Sequence, residues 1–200
     1  MENYECWNIK GRWLEFYNDD HTYFVDGVPV KSITQILHGV FPGKYSGIDK
    51  EVLNKAAQKG TAVHEAIEDY CKTGTEADLP EVRGFKTLQR LYKFEVLENE
   101  VPIILEDRMG DPIAAGRLDL VISIDGKMGG ADIKRTSVLD KEYLAFQLNL
   151  YRIAYEQSYG KKWEFLRGLH LRNDVRKFVE LPIKEEYFLG FIEGWKANER

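Results

Sequence analysis

Cysteine is nearly absent from this 200-residue chain: Cys6 and Cys71 are the only two, and they lie far apart. Two thiols cannot supply the four thiolates of an iron–sulfur cluster, and a cytosolic chain usually keeps such residues reduced. Long apolar runs are missing too. None approaches the roughly 18 residues that a bilayer requires. The opening residues Met1-Glu2-Asn3-Tyr4-Glu5 are acidic and polar, unlike the basic start of a secretory signal, so a cytoplasmic setting is expected. No internal repeat, low-complexity tract or long linker interrupts the chain. An excess of basic charge is also lacking. The formal net charge is −5, which argues mildly against nucleic acid as partner, although 28 lysines and arginines can still form a local positive stripe.

What is present is the composition of an ordinary globular protein, 44% hydrophobic and 30% charged, and a length suited to one domain spanning residues 1–200. Trp13 to Phe24 reads as strand material, and Asp26-Gly27 between Tyr23-Phe24-Val25 and Val28-Pro29-Val30 signals a hairpin. Ser32 or Thr34 suits the N-cap of a short helix ending before Gly39 and Pro42. A polar helix over Asp49 to Gln58 is expected to break at Gly60, with Thr61 capping a second helix to about Lys72. Pro80 opens a further helix carrying Phe85, Leu88, Leu91, Tyr92 and Glu95 at helical spacing. Strands then follow at Val101–Leu105, Ile113–Ile124 and Lys127–Lys134. A helix over Lys141–Tyr159 stops at Gly160, two strands cover Trp163–Leu171 and Lys177–Leu181, and a helix closes the chain over Glu185–Lys196. The order predicts an α/β fold with a mixed central sheet flanked by helices.

Chemistry concentrates between Gly116 and Lys134. If Asp125-Gly126 is a two-residue hairpin turn, Ile124 faces Lys127 and an unbroken ladder sets Asp119 opposite Asp132. Lys134, two residues on, projects from the same face because strand side chains alternate. Gly129-Gly130 is the place where a bulge would shift this register. Two carboxylates and a lysine brought together suit phosphodiester hydrolysis, which needs an activated water and stabilisation of developing negative charge. Charged residues on a solvated hairpin face are the bland alternative. Against it, both acids sit in strands that read as buried, where an unpartnered carboxylate is costly. His64 and Glu68 share a helix face, as do Gln147 and Tyr151. Each pair is by itself as easily a surface ion pair or a packing detail.

Gly60-Thr61-Ala62-Val63-His64 with Glu68, Gly116-Arg117-Leu118-Asp119, Asp132-Ile133-Lys134 and Gln147-Leu148-Asn149-Leu150-Tyr151 together resemble the ordered motifs of the RecB-like branch of the PD-(D/E)XK nuclease superfamily. His21-x-Tyr23 and Val30 to Leu37 resemble the N-terminal segment of the group holding phage exonucleases and the mitochondrial genome maintenance exonuclease. The resemblance spans about residues 21 to 155. It implies a restriction-endonuclease-like core with an N-terminal helical cover and the catalytic hairpin at its centre. It implies that His64, Asp119, Asp132 and the main-chain carbonyl of Ile133 bind Mg²⁺ or Mn²⁺, and that Lys134 orients or activates the attacking water. Gln147 and Tyr151 would position the DNA backbone or the lysine, and Glu68 would support these ligands or join a second metal. The Pro before the first Asp of the motif is absent, and so are the cysteines that hold an iron–sulfur cluster in some relatives.

The expected activity is a metal-dependent DNA exonuclease acting on single-stranded or end-containing DNA, in recombination, repair or end processing, in a bacterial or phage-infected cell, with a helicase or recombination protein as a possible partner. A structure-selective endonuclease or nickase on the same site, a catalytically idle nucleic-acid-binding module and an unrelated metal-free binding protein remain open. Lys86, Arg90 and Lys93, three and four apart, read either as a helix face lining a passage for a single DNA strand or as a solvated face.

Overall fold

Two Asp-Gly pairs shape the sheet. In the computed structural model of the chain, which describes residues 4–44 and 46–198, Asp26 and Asp125 have φ of 52° and 51°, and Gly27 and Gly126 follow with 77° and 78°. Two successive left-handed residues make the tight turn whose twist matches a hairpin. The first turn joins β3 (Thr22–Val25) to β4 (Val28–Ser32), and the second joins β6 (Pro112–Ile124) to β7 (Lys127–Lys134). β1 (Tyr4–Ile9) and β2 (Arg12–Tyr17) precede them as a further antiparallel pair. The sequence pattern gives no sign of β1.

One nine-stranded sheet runs β1-β2-β3-β4-β6-β7-β8-β9, with β5 (Glu95–Glu106) on β6 off this path. β8 (Phe165–Arg172) and β9 (Val175–Leu181) form the far end. The sheet is mixed: β4 pairs with β6, and β7 with β8, in parallel, whereas the hairpin pairs are antiparallel. β6 is the axis of the molecule. β5 follows it from Pro112 to Ser123, β4 meets it at Ala114 and Ala115, and β7 pairs with its far half. A mixed α/β architecture with a large sheet and flanking helices is therefore present as expected.

The helices divide between clusters. α1 (Ile33–Val40), α4 (Lys141–Tyr159) and α5 (Glu185–Asn198) pack with Val101, Ile103, Leu105, Leu118 and Leu166. α2 (Lys50–Thr73) and α3 (Pro80–Tyr92) pack with Leu120, Ile122, Ala131, Ile133 and Leu169. Ser32 caps α1 through a reciprocal bond pair with Gln35, which satisfies two otherwise unpaired donors. Asp140 caps α4 by accepting from the Tyr143 N–H at 3.0 Å, and Gly160, with φ of 70°, ends it.

Two expectations need correction. α2 is one helix of 24 residues through Gly60. Thr61 does not cap a helix: its hydroxyl donates to the Ala57 carbonyl one turn back at 3.2 Å, so the backbone ladder absorbs the glycine. α3 ends at Tyr92, because Lys93 turns left-handed (φ 53°), and Glu95 belongs to β5. Gly129-Gly130 forms no bulge. The ladder runs unbroken from Ile124–Lys127 to Leu120–Ala131. These glycines serve close packing, since a Cβ on Gly130 would lie 1.9 Å from the Trp163 ring and one on Gly129 would lie 2.4 Å from Phe165.

The N-terminal cover is only partly helical, because residues 4–32 mostly extend the sheet. α2 is anchored by its second half, where Val63 and Ile67 are buried, whereas residues 50–62 contain no buried position. No helix among the described residues is long and apolar enough to cross a membrane.

Candidate metal centre

Val63 and Ile67 lie one turn apart on α2 and enter the apolar cluster beneath β6 and β7. Burial of each is worth roughly 1.5–3 kcal/mol. This anchorage fixes the rotation of the helix, and His64 between them reaches β7: its Nε2 stands 3.1 Å from the Ile133 carbonyl oxygen. A carbonyl can only accept, so Nε2 carries the hydrogen. The other ring nitrogen, Nδ1, then faces Asp119 Oδ1 at 3.5 Å and Glu100 Oε1 at 4.0 Å.

Asp119 lies one residue beyond Leu120–Ala131, the β6–β7 ladder pair farthest from the turn, and its other oxygen, Oδ2, accepts the Ile133 N–H at 2.6 Å. The hairpin thus holds its own acid in place. Asp132 is 1% exposed, and Lys134 Nζ stands 2.7 Å from its Oδ2. Asp132 Oδ1 is buried and has no hydrogen-bond partner among the described residues. The structure therefore places Asp119, Asp132 and Lys134, the group read from the hairpin, beside His64 and Ile133, which the family resemblance added, and the Ile133 carbonyl accepts the His64 N–H.

From α4, buried Gln147 donates from Nε2 to the Tyr151 hydroxyl at 3.1 Å, while its Oε1 is unpartnered among the described residues. Burial lifts the Tyr151 hydroxyl well above its ordinary pKa, and the nearby charge of Asp132 adds to the effect. Glu68 forms an ion pair with Lys72, one turn along α2, and its charge adds to the upward push on Glu100. Lys86 pairs with Glu76 and sits 5.5 Å from the Tyr70 ring centre. Lys93 lies past the end of α3. Lys86 and Arg90 lie four apart on α3, whereas Lys93 is its left-handed C-cap.

Glu100 and Arg117 are participants to which the sequence pattern assigns no role. Glu100 lies between the ladder pairs Asn99–Leu120 and Val101–Leu118, opposite Asp119. Its φ of 49° is left-handed, a costly state for a residue with a side chain and one often found at functional sites. Arg117 holds Glu100 Oε2 through Nε at 2.8 Å, and its Nη1 is 2.8 Å from Glu5 Oε1. The acid embedded in a strand beside the apolar run Val101–Leu105 was the available signal.

The electrostatics are those of crowded acids. Burial, then the charge of Asp132, raises the Asp119 carboxyl well above its usual range. Burial, with Asp119 next, pushes Glu100 up to about 7. Burial lowers His64 despite the neighbouring acids, and so favours the neutral ring. Burial works against the Lys134 charge, but Asp132 and Asp119 outweigh it, and its pKa is raised. Asp119 and Glu100 are each costly to ionise here, and a divalent cation relieves such a cost directly. One atom each of His64, Glu100 and Asp119 lie within 4.8 Å of one another, a group that could hold a metal ion; its carboxylates suit hard cations and its imidazole suits transition metals, so the ligand types alone do not name the ion.

No family profile matches the chain, and no curated protein matches it. Among solved structures, the one described as the crystal structure of SSO0001 aligns over 82% of this chain and 73% of its own, with 17% identity and a TM-score of 0.43.

Proposed function

We propose that this chain is a divalent-cation-dependent deoxyribonuclease of the RecB-like PD-(D/E)XK kind. The observation that carries the reading is the convergence of Asp119, Asp132 and Lys134 at the open end of the β6–β7 hairpin, with Lys134 Nζ 2.7 Å from Asp132. Asp119 and Asp132 would hold the cation, Mg²⁺ or Mn²⁺. A cation bound there supplies a water of lowered pKa and neutralises charge on the phosphate. Lys134, held among the acids and kept charged by them, stabilises the negative charge that develops as the phosphodiester opens. Gln147 and Tyr151 offer from α4 a hydroxyl and an acceptor unpaired among the described residues, to orient the strand or the lysine.

The substrate reading is single-stranded or end-containing DNA, with cleavage from an end, in recombination, repair or end processing. An endonuclease on the same site is the second reading. It is favoured by the first half of α2, whose residues 50–62 include no buried position and so are not packed down as a cover. The test is cleavage of end-labelled single-stranded and duplex DNA with Mg²⁺ or Mn²⁺ and with excess chelator. Loss of products in chelator and their return on adding the cation supports the reading. Undiminished cleavage in chelator refutes it.

A further inference from the structure

β7 ends at Lys134, but the strand beside it runs on. Lys134 pairs with His170, and β8 continues for two more residues to Arg172 before the chain turns at Asn173-Asp174 into β9. The tip of the β8–β9 hairpin therefore stands about 7 Å beyond Lys134, at the open end of the β6–β7 hairpin. Two buried side chains hold this tip. Glu81 Oε1 accepts the Asn173 N–H at 2.9 Å, and His170, 3% exposed, donates from Nε2 to the Thr136 carbonyl just past β7 at 2.7 Å. Exposed tips are ordinarily where a chain is loosest. This one is tied both to α3 and to the end of β7.

Its charges are left uncompensated. On α3 and β8, Arg83 pairs with Asp78, Lys86 with Glu76 and Arg167 with Glu180, and Arg135, just past β7, pairs with Glu81. Arg172, Arg176 and Lys177 have no acidic partner among the described residues, not even Asp174 in the turn between them. Arg176 and Lys177 are exposed, and Arg172 is half-buried. Strand alternation sorts the three. Gly168 faces α4, since a Cβ there would meet Leu144 at 2.6 Å, so His170 and Arg172 lie on that face too. Lys134 and Lys177 stand opposite His170 on its two sides and share the face. Arg176 lies on the other face, where its Cβ is 3.6 Å from the place a Cβ on Gly84 of α3 would take.

We propose that Arg172 and Lys177 form a clamp for the phosphate backbone of single-stranded DNA, on the same face of the sheet as Lys134. The clamp rests on the proposed nuclease reading for its occupant, and it adds where the strand lies. Lys177 is two strand spacings, about 10 Å, from Lys134, a span of roughly two or three nucleotides. Unpaired cations on a rigidly held tip match a polyanion, whose phosphates relieve the repulsion between them and release counterions on binding. Contacts to phosphate position a strand without reading its bases, so the clamp holds any sequence alike.

The test is the fluorescence anisotropy of a labelled single-stranded DNA oligonucleotide titrated with the whole chain in Ca²⁺, its length checked on a gel afterwards. Arg172→Glu and Lys177→Glu should each raise Kd by about 10-fold or more. Arg176→Glu makes the same change of net charge on the opposite face and should stay within about two-fold of the wild type at physiological salt. Lys177→Ala, the milder variant should the reversal disturb β9, should weaken binding and lower the salt slope of log K by about 0.7. An equal loss in Arg176→Glu is a general effect of charge and overturns the clamp, as does unaltered binding in Arg172→Glu and Lys177→Glu. Cleavage by the wild type in Mg²⁺ would then leave the nuclease reading standing. The expected pattern in a wild type that cleaves no DNA upholds the clamp and overturns the nuclease reading. Blunt duplex bound more tightly than the single strand overturns the single strand as occupant, and a wild type that binds no oligonucleotide overturns both readings.

Discussion

Lys134 Nζ stands 2.7 Å from Asp132 Oδ2, two residues back on the same strand, and the carboxylate is 1% exposed. In the absence of a cation the lysine is the counter-ion of the buried acid. Lys134→Ala should therefore lower cleavage by about 100-fold or more, the scale of losing one stabiliser of transition-state charge. It should also lower the melting temperature in chelator, because Asp132 is left uncompensated. Added Mg²⁺ should restore much of that stability without restoring cleavage. Thermal unfolding with and without Mg²⁺, alongside a rate assay, checks both outcomes.

Asp132→Asn keeps the shape of the side chain and removes the charge. An amide is a poor ligand for Mg²⁺, so cation affinity should fall by more than the roughly 10–100-fold that loss of a supporting partner costs. Cleavage should fall with it. Titration with Mn²⁺ and cleavage at saturating Mn²⁺ measure the two effects, and an unchanged affinity removes Asp132 from the site.

Two glycines should respond in opposite directions. Gly130→Ala places a methyl 1.9 Å from the Trp163 ring, and overpacking of this kind costs about 1–3 kcal/mol. Gly60 lies in a continuous helix, and a methyl added there would meet no atom within 4 Å, so Gly60→Ala should stabilise by roughly 0.5–1 kcal/mol. Urea denaturation decides. A helix broken at Gly60, as the sequence suggests, would gain nothing.

Those two positions also show where the sequence was legible. The Asp125-Gly126 turn specifies its conformation locally, and the strand period of two carries that information along the hairpin to Asp119 and Asp132. The hairpin and its acids could therefore be read in advance. Gly60 has no such local imperative: an uninterrupted hydrogen-bond ladder and the burial of Val63 and Ile67 outweigh its low helix propensity. Glu100 was hidden for a different reason. The register that sets it opposite Asp119 follows a shift between Val96 and Glu98, and its left-handed φ is imposed by tertiary surroundings. Lys93 is not part of the helix that carries Lys86 and Arg90, because α3 ends at Tyr92, and helical spacing cannot foresee that end.

Glu81, 3% exposed, joins α3 to the end of β7 and the β8–β9 turn. Its Oε1 takes Arg135 Nε and the Asn173 N–H, each at 2.9 Å. Burial pushes its carboxyl up, but the Asn173 N–H and Arg135 together bring it below its usual 4.5. A depressed folded pKa means stability that is present above the unfolded value and lost as pH falls through the folded one. Glu81→Gln should cost on the order of 3 kcal/mol at neutral pH, where a buried pair loses one partner. The difference from wild type should stay constant above about pH 5 and shrink below it. Denaturant unfolding from neutral pH down into the acid range tests this, and a difference independent of pH would contradict it.

The nuclease reading meets its most direct test in one time course with Mg²⁺, in which linear end-labelled single-stranded DNA and a covalently closed single-stranded circle are each given to the wild type and to Lys134→Ala. The account predicts that the wild type shortens the linear strand from an end, that the circle survives, and that Lys134→Ala leaves both intact. Rapid cutting of the circle would replace the exonuclease with the endonuclease. No cleavage of either DNA by the wild type, or equal cleavage by Lys134→Ala, would contradict the central claim.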